Sequence, residues 1–173
     1  MRNRFLSIVV LGASLLASGA SIAQPPNPLD AIPDKMPFDV PYGAPITLDH
    51  AQVAINAAIA EAKKRGWKMN VAVLDSGGNL VAFNRMDNAQ LASIDIAIHK
   101  GRAAVKYRRE TKIFENLLQV NQLHYLMTLD DVIASRGGIP LVVDGKMIGA
   151  IGCSGGTGSQ DEVVCKAGAA VVK

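Results

Sequence analysis

Past its first 45 residues the chain alternates between two rhythms of apolar positions, and each change of rhythm marks an element of a compact α/β domain. Ala51, Ile55, Ala58, Ile59 and Ala62 recur at helical spacing. Thr47 precedes them as an N-cap and Asp49 complements the positive end of the helix. Lys63, Lys64 and Arg65 suit the negative end, and Gly66 stops it. Met69–Leu74 and Leu80–Arg85 are short and nearly continuous in apolar residues. They predict two strands covered on both faces, joined through Asp75-Ser76-Gly77-Gly78-Asn79. A long helix is predicted from Ala89 to about Arg108, with Leu91, Ile94, Ile98 and Val105 on its apolar side, followed by a shorter one from Lys112 to Asn121. Between Leu123 and Ser135 the periodicity is mixed, and Leu126, Leu129, Val132 and Ile133 are the residues expected to be buried.

Gly137–Gly156 then predicts a second hairpin. Ile139–Val143 and Lys146–Cys153 are its strands, and Asp144-Gly145 is the dipeptide that best supplies the positive φ angles of a two-residue turn. A lone hairpin is marginal in water, so the other elements must cover it. Gln160–Val172 closes the chain as a helix, with Ser159 and Glu162 spaced as a capping box. Helix, hairpin, two helices, hairpin and helix together predict an antiparallel sheet with helices on both faces.

The first 45 residues read differently. Met1–Ala23 has a basic start, an apolar run from Phe5 to Ala17 and a small-x-small site at Ser21-Ile22-Ala23, the pattern of a cleaved secretory leader. The run is too short and too interrupted for a membrane anchor, so no stable membrane insertion is expected after cleavage and the mature protein is expected to be periplasmic or secreted. Residues 24–45 hold seven of the eight prolines, which predicts an extended linker or a strap laid over the domain, pinned through Phe38, Val40, Tyr42 and Ile46. The globular unit is then expected at 46–173. Losing Arg2 and Arg4 takes 18 basic residues to 16 against 15 acidic ones, so no nucleic-acid footprint remains. Cys153 and Cys165 are the only cysteines. In an oxidising compartment they suit a disulfide; two inert thiols and thiolate ligation of a metal stay open.

Several stretches carry candidate chemistry. His99 follows Asp95 by one helical turn, so a carboxylate can hold one ring nitrogen and free the other for a metal or a proton. The same spacing also suits a plain surface pair. Arg85 and Asp87 end a strand, while Arg108, Arg109 and Thr111 end the long helix. If both ends border one pocket, the arginines can clamp carboxylates. Gly152–Gly158 offers backbone donors, but it lacks the lysine of a phosphate loop, and Ser154 and Gly155 there suit contacts to a small carboxylate. No nucleophile elbow and no zinc spacing is present.

The blocks AVLDSGGNLVAFNRMDNA (Ala72–Ala89), ASIDIAIHKGRAA (Ala92–Ala104), RRETKIFE (Arg108–Glu115), GGIPLVVDGKMIGAIGCSGGTGSQDE (Gly137–Glu162) and KAGAA (Lys166–Ala170) resemble the GlcG/HbpS family, in order and across Thr47–Lys173. Glu110 stands where the family usually carries proline, and Gly101 where alanine is customary. The resemblance implies a profilin-like three-layer α/β/α sandwich with an antiparallel sheet that assembles into homo-oligomers. It also implies an exported haem- or tetrapyrrole-binding protein acting in haem sequestration, sensing or degradation. His99 is not a position carried over from the family as a ligand. Its own spacing makes it the candidate iron ligand for such a group, with Thr111 nearby, Arg85 and Arg109 for the carboxylates, and Asp87, Ser154 and Gly155 completing the pocket. One rival is an enzyme acting on an organic-acid or aromatic metabolite, with Asp87 or His99 as acid/base. Another is an accessory or sensor subunit that docks through the proline-rich segment.

Overall fold

The computed structural model describes residues 27, 30–36 and 38–173. The predicted leader lies outside them, as do residues 24–26, 28 and 29 at the start of the proline-rich stretch. The compact unit runs from Met36 to Lys173. Among the described residues no helix is long and apolar enough to cross a membrane.

Helix α1 (Leu48–Lys64) begins where Thr47 accepts the His50 N–H, and it ends at Gly66, whose φ of +71° allows Trp67 N–H to reach Ala62 O. Strands β1 (Asn70–Asp75) and β2 (Leu80–Arg85) follow. In their turn the Asp75 carboxylate accepts from Gly77 N–H and Asn79 N–H. Next come α2 (Ser93–Lys106), α3 (Thr111–Gln119), a 3-10 helix at His124–Thr128, β3 (Gly138–Val143), β4 (Lys146–Ser154) and α4 (Gly158–Ala169). The four strands form one antiparallel sheet in the order β2-β1-β4-β3. Asp144 and Gly145, with φ of +49° and +71°, make the two-residue turn of the second hairpin. Pro140 fits in β3 because that strand is an edge.

Residues of β1 alternate between two layers. Val71 and Val73 point to a core shared with Ala54, Ile55 and Ala58 of α1 and Val164 and Cys165 of α4. Ala72 and Leu74 point to the other side, against Ala97 of α2. The protein is therefore a three-layer α/β/α sandwich.

Five expectations are corrected. The residues that α2 buries are Ser93, Ala97, Lys100, Gly101, Ala103, Ala104 and Val105. Of the expected apolar side Val105 alone is therefore buried, Ile94 and Ile98 are only partly covered, and Leu91 is 69% exposed before the helix begins. The cause is a close approach. A Cβ on Gly152 would lie 2.0 Å from Ala97 O, and one on Gly138 would lie 2.2 Å from Lys100 O, so only small residues fit between α2 and the sheet. The helix is also shorter than predicted. Its end is set by Arg108 in the left-handed region at φ +55°, with Arg108 N–H bonded to Val105 O and Arg109 N–H to Ala104 O. The capping box of α4 is Thr157 with Gln160, two residues before the predicted pair, and Ser159 lies inside the helix. Of the apolar residues from 126 to 133 only Leu126 is buried, and β2, an edge strand, is only partly covered.

The segment before α1 lies along the sheet. Pro41 O accepts Met147 N–H and Met147 O accepts Gly43 N–H, past the end of β1, and Ile46 N–H reaches Ile148 O. Val40 packs on Ala104, Val105, Met147 and Ala150. The Tyr42 hydroxyl lies 3.0 Å from Val105 O and 3.0 Å from Lys106 O, capping the last carbonyls of α2. Cys153 and Cys165 are joined as a disulfide between β4 and α4, with Cα atoms 5.5 Å apart and both residues fully buried. The bond decides among the three fates open to the thiols.

Candidate functional site

The end of α1, the chain just after Gly66 and the end of β2 meet around a cavity of about 290 Å³. Ile59 and Lys63 come from α1, Lys68 from the connection to β1, and Asn84, Arg85, Met86 and Asp87 from β2 and its exit. The geometry has local causes. Glycine at the end of α1 reverses the chain so that Lys68 faces the helix it has just left. Met86 N–H bonds to Met69 O and extends the ladder one step past Arg85, and Asn88, at φ +63°, then turns the chain away. Met86 and Ile59 pack against the core and form an apolar floor.

Above that floor stand Lys63, Lys68 and Arg85, all exposed, against one carboxylate, that of Asp87. Among the described residues none of these four takes part in an ion pair. Arg65, by contrast, is drawn off to Glu61 and lies over the Trp67 ring. Three uncommitted cations on an apolar floor make a receptor for the acidic edge of a small molecule, since charge-assisted hydrogen bonds to carboxylates are the strong ones.

Of the predicted site residues Arg85 and Asp87 line this cavity, Gly155 packs against the backbone of Lys68 beside it, and the others are not part of its lining. Ser154 is in register with Asn70, which also pairs with Arg85, but its side chain is buried and its Oγ lies 3.0 Å from Ser93 Oγ. Ser93 Oγ accepts from Gln90 Nε2 at 2.7 Å, and Gln90 O accepts from Asn70 Nδ2, while buried Asn70 Oδ1 has no hydrogen-bond partner among the described residues. Gly155 lies against the backbone of Lys68, where a Cβ would come within 2.1 Å of the carbonyl oxygen. Thr111 opens α3 and is fully buried, its Oγ1 accepting from Gly138 N–H at 2.9 Å. His99 is half-buried on α2, on the opposite face of the sheet from α1. The Lys106 hydrogen bond, against the opposing effect of burial, holds the Asp131 carboxyl below its ordinary value. Arg109 lines a different cavity beyond the end of α2. Arg102 Nε donates to Gly78 O, which puts that end of the helix at the β1–β2 turn, far from the Arg85 end of the strands. Arg85 and Arg109 therefore do not border one pocket.

Two participants in the cavity were not singled out in the sequence. Lys63 reads there as a complement to the helix dipole, and Lys68 carries no signal of its own. The clue available was the run of basic residues at 63, 64, 65 and 68 around a helix stop. Among the described residues no group of three or more metal-ligating side chains occurs.

Residues 46–170 match the family model described as "Haem degrading protein HbpS-like". Protein GlcG of Escherichia coli strain K12 is 42% identical over 104 residues, covering 60% of this chain and 77% of that protein. The crystal structure of a double mutant of Streptomyces reticuli HbpS superposes with a TM-score of 0.70 at 30% identity, covering 83% of this chain and 97% of that one. The structure of a PduOC–haem complex superposes with a TM-score of 0.67 at 25% identity, covering 73% and 94% of the two chains. Because that family model spans residues 46–170, most of the sequence, this chain belongs to the HbpS-like family.

Proposed function

We propose that this protein binds a haem-type ligand after export, holding its carboxylates at the cavity between α1 and the end of β2. The observation that carries the reading is the convergence of Lys63, Lys68 and Arg85 on an apolar floor with Asp87 as the one carboxylate in the lining and, among the described residues, no ion pair to any of the three. Haem is the class of ligand favoured by the family and by the haem complex among its structural relatives.

The donor set fits the acidic edge of a porphyrin. A volume of about 290 Å³ is at the bottom of the range of roughly 300–1,000 Å³ for pockets that enclose a ligand, so the cavity suits that edge rather than the whole macrocycle. Lys63, Lys68 and Arg85 would hold the carboxylates, Ile59 and Met86 would meet the ring edge, and Asp87 limits the net positive charge. Bound haem would supply iron redox chemistry, tuned by its ligand and surroundings. His99 lies across the sheet from this cavity, and the one soft donor that lines it is Met86. The Cys153–Cys165 disulfide supports export, because such bonds persist in oxidising compartments. Val120, just past the end of α3, and Tyr125 and Met127 of the 3-10 helix are exposed and support self-association.

Titration of the oxidised protein with hemin tests the reading. The expected result is a shifted Soret band, with affinity lowered about tenfold or more by Lys63→Glu or Arg85→Glu and unchanged by His99→Ala. A Soret band identical to that of free hemin would overturn it.

A further inference from the structure

A second cavity, of about 380 Å³, lies on the α2 side of the molecule, between the strap at Met36 and Phe38 and the end of α2. Lys106, Tyr107, Arg108 and Arg109 line its helical wall. The lining contains three cations and no carboxylate, but the three differ in their engagements. Lys106 is ion-paired with Asp131. Arg108 donates from one Nη to Val40 O at 3.3 Å and lies 5.8 Å from the centre of the Tyr42 ring. Arg109 donates from Nε to Tyr107 O, and its guanidinium lies 3.2 Å from the centre of the Phe38 ring and 5.4 Å from that of Phe114.

Arg109 is thus half-buried among aromatic rings, and no described carboxylate reaches it. Burial, the largest influence, pulls its pKa below the ordinary arginine value, only partly opposed by Tyr125 and Tyr107. A cation stripped of part of its water without a counterion is a cost that a bound anion would relieve. The end of α2 opposes an anion, but only with about half an elementary charge. Its last carbonyls, Val105 O and Lys106 O, are already taken by the Tyr42 hydroxyl. Two guanidinium groups outweigh that dipole.

We infer that this cavity is a second ligand site, for a small flat carboxylic acid of benzoate type, with Arg109 and Arg108 taking the carboxylate and Phe38, Tyr107 and Met36 enclosing the ring. The volume suits one or two rings, and an arginine whose guanidinium carbon lies 3.2 Å over the Phe38 ring can also offer N–H donors to a carboxylate. The site is separate from the one assigned to the haem-type ligand, since the two cavities share no residue.

Calorimetric titration of the oxidised protein with sodium benzoate, and with benzamide as the uncharged control, decides the matter. Saturable binding of benzoate and none of benzamide is expected. Arg109→Gln and Phe38→Ala should each weaken benzoate binding about tenfold or more, while Arg85→Glu leaves it unchanged. Arg109→Lys keeps the charge and removes the fork; it should lose most of the affinity with a wild-type melting temperature, which separates recognition from misfolding. The site is refuted if wild-type protein binds no benzoate, if benzamide binds equally well, or if binding survives Arg109→Gln but not Arg85→Glu. Hemin titration of the Arg85→Glu variant fails or succeeds independently of these results.

Discussion

The cations of this protein keep two kinds of company. Lys100, Lys112, Arg136 and Lys166 each sit on a carboxylate, and Lys100 is the extreme case, its Nζ 2.7 Å from Asp161 Oδ2 with both side chains almost fully buried. Lys63, Lys68 and Arg85 share a cavity instead and make no ion pair among the described residues. The first group serves the fold. Asp161 also accepts Gly156 N–H, so the Lys100 pair ties α2, α4 and the loop after β4 into one unit. The second group contributes little to the fold and is free to meet something else. The same side-chain chemistry is structural where its partner is internal and available for recognition where it is not.

The strongest way to break the first half of that contrast is Lys100→Met. Removing one partner of a buried pair leaves the other uncompensated, which costs about 3–5 kcal/mol. Chemical denaturation at neutral pH should show a loss of that order, and Lys100→Met with Asp161→Leu should recover much of it. The pH dependence supplies a check of sign. Burial, the largest influence, raises the Asp161 pKa above 3.8 in spite of Lys100. The folded state therefore favours the protonated form, and in the Lys100→Met variant the penalty should shrink as pH falls. A penalty indifferent to pH would mean that packing, not charge, is what Lys100 contributes.

Next in size is the disulfide. Cys153 and Cys165 are 12 residues apart, and closing a loop of that size contributes about 3 kcal/mol on the chain-entropy model. Reduction, or the double change to alanine, should lower the denaturation midpoint accordingly while leaving the Lys100–Asp161 pair in place.

A smaller effect is expected in acid. Burial alone would raise Glu115 and Glu162, but Arg136 bonds to Glu115, and Lys166 and Lys112 bonds to Glu162, outweigh it and hold both below 4.5. Groups with depressed pKa values stabilise fully above the unfolded value and lose that contribution as pH falls through the folded one. Melting temperature should therefore fall below about pH 4.5, and Arg136→Ala should flatten that slope at a cost near 1 kcal/mol at neutral pH, given partial exposure of the pair.

Much of the frame was legible in the sequence, and its failures share a cause. Thr47 acts through its hydroxyl on a backbone N–H three residues on, and Gly66 and Asp144-Gly145 act through their own backbone, so their roles survive without knowledge of the tertiary neighbours. The buried face of α2 did not, because large apolar residues signal burial only where there is room for them. Gly138 and Gly152 bring the sheet so close that Ala97 and Gly101 make the contact, while Leu91 stays outside. Lys100 was invisible for a related reason: a lysine reads as solvent-facing unless its acid is known, and Asp161 is 61 residues away. The site was legible only at Arg85 and Asp87, which are local to one strand end. Lys63 and Lys68 join them through the reversal at Gly66, and the distance from Arg85 to Arg109 depends on how α2 crosses the sheet.

The smallest expected stability effect sharpens the second half of the contrast. Exposed side chains without buried partners usually change stability by less than about 0.5 kcal/mol when replaced. Lys63→Glu and Arg85→Glu should therefore leave the melting temperature near wild type, in opposition to Lys100→Met. Lys63 calls for one refinement, since it lies in the last turn of α1, where a cation is worth about 0.3–1 kcal/mol against the dipole and an acid is unfavourable by a similar amount. Arg85 lies at the end of an edge strand and carries no such term, so its variant should be the more nearly silent. If Arg85→Glu instead destabilised the protein by as much as loss of the disulfide, Arg85 would belong with the structural cations, and the cavity it borders would lose its claim to be a binding site.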